Sequence, residues 1–299
     1  MTITCWLAAL VVVLFGPAGP MLARATWVRR APRAAVALWQ AIGVAGALAA
    51  IGFGLSVAVL PARAGLAGGL TRMLAQGAAG HPLRGLGIAG ALGLTLAVDV
   101  CTVLLIGLTV TAVRTTVDRS RHRRLLDLVG HAVDGSPGVQ VIDDPRVAAW
   151  CLPGLRPRIV VSAGALDQLR HTEFGAVVAH ERGHAHGRHG IVMLPFASMD
   201  TLLRRLPYAR HARREVALLL EMAADDFALR THRPRHLAAA LIELASSGPA
   251  PTCSFAAGGT DVALRFHRIL ARNRTSVPVA AVVGAGVVAV LTLPMVALV

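Results

Sequence analysis

The chain is built from long apolar runs and one mixed block. Residues 3–22 are apolar from Ile3 to Leu22, interrupted by Gly16, Pro17 and Pro20. Residues 34–60 and 86–113 are two further runs, and a last one extends from Val277 to Val299, with Pro278 and Pro294 near its ends. A helix rises about 1.5 Å per residue, so runs of about 20 residues cross about 30 Å of hydrocarbon. The pattern therefore predicts a membrane α-helical bundle of four spans. Residues 61–85 form a Gly-rich connector carrying Arg63, Arg72 and Arg84.

Between residues 114 and 276 the period changes repeatedly. Residues 117–134 read as a helix with Leu125, Leu126 and Val129 on one face. Val139–Ile142 alternates and ends at Asp143-Asp144-Pro145, a turn signal. Val147–Leu152 predicts a second strand, Pro153-Gly154 a turn, and Arg158–Val161 a third strand. Ser162 can cap the next helix. Thr172 can cap the one after it, with Phe174, Val177 and Val178 on the buried side. Arg213 to Arg230 is a strong amphipathic helix. This mixture predicts an α+β domain. The organisation expected is residues 1–113 as a membrane region with three spans, 114–276 as the α+β domain, and 277–299 as a C-terminal span.

Composition supports the membrane reading. The chain is 55% hydrophobic with a mean hydropathy of +0.61, and 15% is charged. All 30 basic residues are Arg, and the net charge is +14. Such a balance can mark nucleic-acid binding. Here the arginines crowd the ends of apolar runs, so the lipid bilayer is the partner they fit, and no direct nucleic acid binding is expected. Arg24, Arg29, Arg30 and Arg33 follow the first run, Arg114, Arg119, Arg121, Arg123 and Arg124 the third, and Arg265, Arg268, Arg272 and Arg274 precede the last. Basic loops stay inside. The topology that follows is a multi-pass protein of the cell membrane with both termini outside and residues 114–276 cytoplasmic. No positive charge precedes the first run, the reverse of a signal peptide, so a retained span is expected. Cys5 and Cys101 lie in apolar runs and Cys151 and Cys253 are far apart, which suggests neither a disulfide framework nor a cysteine metal site. Asp99 interrupts the third run. A protonated or hydrogen-bonded structural carboxyl is favoured there over a signalling group, and Asp99 is left outside the site.

The chemistry concentrates at His180-Glu181-Arg182-Gly183-His184. Residues four apart share a helix face, so His180 and His184 would aim two imidazoles at one point with Glu181 beside them. Two imidazoles and a third ligand hold Zn²⁺ with one position left for water. The ion lowers that water's pKa toward ~7, and a neighbouring carboxylate such as Glu181 can take its proton. The third ligand is sought downstream. Glu221 and Asp225 share a face of the 213–230 helix; Glu221 can complete a His₂Glu site, and Asp225 can accept the other ring N–H of a ligating histidine, with Asp226 as its rival. His186 and His189 read as exposed helix-end residues that favour the negative end of the helix dipole. Tyr208 and His232 are candidates for an oxyanion donor, each with a structural reading favoured.

The run Ala179–His184, then Arg188-His189, then Glu221-Met222-Ala223-Ala224-Asp225 resembles the membrane gluzincins. Three upstream spans, a cytoplasmic zinc domain and a late span are similar to the BlaR/MecR antibiotic-sensor family, a likeness to which Pro207-Tyr208 and Arg265 to Leu270 add. The resemblance implies a gluzincin-like zinc peptidase domain with ligands His180, His184 and Glu221 and Glu181 as base. It also implies a protein substrate, a winged-helix transcriptional repressor. No penicillin-binding domain follows the last run, so direct β-lactam sensing by this polypeptide is not expected. The function expected is peptide hydrolysis at the cytoplasmic face, with substrate added as an extended segment along the strand near Arg158–Val161. Two alternatives stay open: a quality-control protease resembling the HtpX type, and a signalling scaffold in which zinc is structural.

Overall fold

The structure, a computed structural model, describes residues 2–62, 65–81, 85–133, 136–154, 156–246, 259–271 and 277–294. Arg63, Arg84, Cys253, Arg272, Arg274 and the end of the last apolar run at 295–299 lie outside the described residues.

Helix α1 (Thr2–Phe15) is followed after Gly16-Pro17 by the short α2 (Ala18–Arg24), and a 3-10 turn over Thr26–Arg30 leads into α3 (Pro32–Val59). Pro32 opens α3 at a position where its missing N–H costs nothing. Helix α4 (Gly65–Ala78) precedes α5 (Ile88–Val129). Three helical stretches are long and apolar enough to cross a membrane: Thr2–Arg24, Pro32–Val59 and Ile88–Val129. This marks a membrane protein. The fourth expected span is described only over Val277–Thr292, too short by itself to meet that criterion.

Helix α5 departs from the sequence reading, which ended a span at 113 and began a new helix at 117. The structure has one continuous helix of 42 residues. No proline lies within it, so nothing forces a break where the surface turns from apolar to basic at Arg114. Asp99 sits on α5 at an apolar cavity of about 720 Å³ bordered by Val12, Phe15, Phe53 and Leu206, with no hydrogen bond or ion pair among the described residues.

A four-stranded sheet follows: β1 (His131–Ala132), β2 (Val139–Ile142), β3 (Ala149–Leu152) and β4 (Arg158–Ser162), in the order β1-β2-β4-β3. β2 and β4 are parallel, with Val139 opposite Ile159; β3 and β4 are antiparallel, with Ala149 opposite Val161. The two-residue β1 falls where the sequence reading continued a helix to residue 134; the helix ends at Val129 instead. Ser162 caps α6 (Ala163–Gln168) as expected, accepting the Ala165 N–H at 3.1 Å.

Next come α7 (His171–His186), α8 (His189–Val192), α9 (Leu194–Leu202), α10 (Pro207–Ala228), α11 (Pro234–Ser246), α12 (Gly259–Leu270) and α13 (Val277–Thr292). Helix α10 ties the two regions together. One side packs with Trp39, Ile42 and Leu14 of the apolar helices, through Tyr208, Val216 and Leu219. A second core joins α7 to α11 and α12 through Ala176, Ala179, Leu237 and Ile269, and a third joins α7 to the sheet through Val177, Val139 and Val161.

Candidate active site

Helix α7 begins at Arg170, where the Glu173 carboxylate accepts the Arg170 backbone N–H at 3.0 Å and the Arg170 guanidinium N–H at 2.8 Å. Thr172 lies inside the helix, so it is not the cap the sequence suggested. Two turns later, past the buried Val177 and Val178, α7 presents His180, Glu181 and His184. Gly183 lies between them on the side that faces α10. A Cβ there would stand 3.0 Å from Ala224 Cα and 3.1 Å from Phe227 Cβ, so glycine lets the two helices close up.

That approach brings Glu221 to the histidines. The two Nε2 atoms are 3.1 Å apart, and each lies 3.4 Å from a Glu221 oxygen. One donor atom from each of the three falls within 4.8 Å of the others. On the far side of the ring, His180 Nδ1 is 3.0 Å from Asp225 Oδ1, off the line of a straight N–H···O bond. Asp226, the alternative partner, turns away and takes two hydrogen bonds of 2.8 Å from Arg268.

Two further residues belong to this cluster and were not read from the sequence as part of it. Arg265 on α12 is buried; it donates to Asp225 at 2.9 and 2.7 Å and reaches Glu221 at 2.9 Å. The available signal was the adjacent pair Asp225-Asp226 facing a helix with Arg265 and Arg268 three apart. His189 is the second. Arg188 takes a left-handed conformation (φ 48°), and Gly187 leaves room for the ring, so His189 folds back under the site. Its Nδ1 is 2.9 Å from His184 Nδ1. The expectation of an exposed, dipole-stabilising His189 is overturned: the side chain is 4% exposed. Burial, with His184 beside it, pushes its pKa down to about 3, so the ring is neutral. A neutral His189 can accept the His184 Nδ1–H and fix which nitrogen His184 turns to the cluster. His186 does lie exposed at the end of α7, its ring against Phe227.

The electrostatics favour a cation. Burial opposes ionisation of Asp225, but the Arg265 charge and its hydrogen bonds hold the carboxyl down at about 2. Glu221 is likewise held well below its usual range against its burial, by His184 and Arg265. Burial works against a charged His180, yet Asp225 and Glu221 raise it to about 10. Once His180 gives up its proton, the buried Glu181, Glu221 and Asp225 face the single guanidinium of Arg265, a surplus of negative charge that a divalent ion would balance.

The cluster opens into a cleft of about 480 Å³. Glu181 lines it beside the histidines; the opposite wall is Trp150, Cys151 and Leu152 of β3, with Asp118, Arg119 and His122 of α5 at one end. Arg119 donates to Gly190 O at 3.2 Å, and Arg123 to Pro153 O and Arg156 O, each at 3.1 Å, which bolts α5 to the rim. Burial pushes the Cys151 thiol up to about 12, so it is no nucleophile. Strand β4, the expected docking strand, lies between β2 and β3 with no free edge; β3 is the edge strand and lines the cleft. Neither oxyanion candidate is there. Tyr208 is buried with its hydroxyl donating to Trp39 O, and His232 faces Thr231 at 3.0 Å, outside the cleft lining.

Two imidazoles, a carboxylate and a free acid in a cleft beside an edge strand are the parts of a metal-dependent peptidase. Comparison with known families agrees: residues 115–223 match the family model of peptidase family M48, which supports a metallopeptidase. The match spans the end of α5, the sheet, α7 and α10 as far as Ala223. No curated protein and no solved structure matches the chain.

Proposed function

We propose that this is an integral membrane zinc metalloendopeptidase that cleaves a protein substrate at the cytoplasmic face. The observation that carries the reading is the convergence of His180, His184 and Glu221 beside Glu181, which lines the same open cleft. The nitrogen and oxygen donor set suits Zn²⁺, and among the described residues the group has three members, which leaves a position for reaction rather than a closed structural site. When bound, the ion supplies Lewis acidity toward the scissile carbonyl. Glu181 takes a proton from the attacking water and delivers it to the leaving amine. Asp225 holds His180 and His189 holds His184 in the ligating tautomers. The edge of β3 pairs with an extended substrate segment, which sets the scissile bond along the cleft. The distribution of arginines supports the cytoplasmic placement, with both termini outside. The resemblance to BlaR/MecR sensors supports a winged-helix repressor as the substrate.

The test uses the full chain in detergent. Zinc content and cleavage of candidate repressors and of unfolded membrane proteins are compared with Glu181→Gln. The variant should keep its zinc and lose about 10²–10⁴-fold in cleavage rate. Undiminished cleavage by Glu181→Gln overturns the mechanism. Broad cleavage of unfolded membrane proteins, with none of repressors, replaces regulated proteolysis by quality control.

A further inference from the structure

A second cavity, of about 260 Å³, lies where the turn joining α2 to α3 meets α12. Arg29, Arg30, His267 and Arg268 line it, with Met222 of α10 behind them. Arg268 is engaged: it holds Asp226, and its Nε donates to Arg29 O at 3.0 Å. The other cationic and polar groups are not satisfied. Arg29 reaches Glu215 only at 4.0 Å, and its Nε is buried without a hydrogen-bond partner. Among the described residues the Arg30 side chain has no ion pair or hydrogen bond, and the His267 ring has no hydrogen bond and stands edge-on to the Phe266 ring. Guanidinium groups with spare donors, Arg29 Nε and the Arg30 side chain, on one cavity call for an oxyanion, because their fork geometry matches phosphate oxygens.

We propose that this cavity binds the phosphate of an anionic phospholipid headgroup. The turn connects two apolar helices long enough to cross a membrane, so the cavity sits at the level where a span leaves the lipid. Trp27, on the same turn, is 41% exposed, as aromatic residues at the lipid–water boundary are. These two features favour a lipid over free phosphate as the source. The position has a consequence for the metal cluster. Arg268 and Arg265 lie one turn apart on α12, and Arg265 holds Glu221 and Asp225. A bound headgroup would therefore fasten α12 against the turn and steady that guanidinium. The inference goes beyond peptide hydrolysis and does not depend on it.

The experiment measures lipid retained by the full chain after detergent exchange from vesicles of phosphatidylcholine with phosphatidylglycerol. Wild type should keep phosphatidylglycerol selectively. Arg30→Gln combined with His267→Gln should lose retention by at least about fivefold, the effect of the one guanidinium charge removed. Arg24→Gln, an equal loss of charge at the end of α2 outside the cavity, should behave as wild type. Unliganded melting temperatures confirm that the variants are folded. Retention unchanged in the double variant, or reduced equally by Arg24→Gln, overturns the site. Inorganic phosphate that stabilises wild type as much as phosphatidylglycerol does overturns the lipid assignment.

Discussion

Removing the Arg265 guanidinium isolates the electrostatics of the metal cluster. Arg265→Met keeps a flexible side chain of similar reach and deletes the charge. Glu221 then loses a contact of 2.9 Å, and Asp225 loses hydrogen bonds of 2.9 and 2.7 Å, while both carboxylates stay buried. Breaking a buried ion pair from one side costs about 3–5 kcal/mol, since the stranded charge keeps its desolvation penalty. At about 2–4 °C per kcal/mol for a domain of this size class, melting should fall by roughly 6–20 °C. The assay is thermal unfolding of the detergent-solubilised chain with metal chelated. Zn²⁺ added back should stabilise the variant more than wild type, because the ion then supplies the missing positive charge. Combining Arg265→Met with Glu221→Gln and Asp225→Asn should recover most of the loss, as neither partner carboxylate is left charged and stranded. If chelated Arg265→Met melts within about 2 °C of wild type, the cluster is not held by that guanidinium.

The other expectations concern the same cluster. His189→Leu removes the acceptor under His184 and should weaken zinc binding by about 10–100-fold in a chelator competition, whereas His189→Asn, which keeps an acceptor, should lose less. Gly183→Ala forces a methyl toward Ala224 and should cost about 1–3 kcal/mol with weaker zinc binding, and unchanged affinity refutes the close-approach argument. His180 has its folded pKa raised from 6.5 to about 10. In the metal-free protein its stabilisation is therefore complete below pH 6.5 and fades as pH climbs through about 10. Zinc uptake at pH 7 must displace that proton, so calorimetry in buffers of different ionisation enthalpy should show release of about one proton, and none if His180 is already neutral.

What could be read from residues alone was what depends on neighbours in the chain. The spacing of His180 and His184, and of Glu221 and Asp225, follows from helix geometry, and the structure brings all four side chains together. The strands at Val139–Ile142 and Arg158–Val161 were visible as short β-branched runs between turn signals, the second extending one residue further to Ser162 in the structure. Strand order was not visible, because pairing is non-local; β4 looked as available for docking as β3 until the sheet put it in the interior. Arg265 reaches Asp225 across 40 residues, and its charge looked like one more arginine beside a span. His189 was misread because a left-handed Arg188 reverses the chain, a conformation that residue type does not announce. Helix α5 was cut in two because its surface changes character at Arg114, although a change of solvent does not require a change of backbone.

That uninterrupted α5 has a mechanical meaning. Its 42 residues make a rod of roughly 63 Å, at about 1.5 Å each. Its apolar part, a candidate membrane span, carries Asp99, and its other end brings Asp118, Arg119 and His122 to the cleft. With no break along its length, a tilt of the apolar part would move the residues at the mouth of the cleft. The protein thus has a lever with an apolar handle and a polar working tip at the cleft.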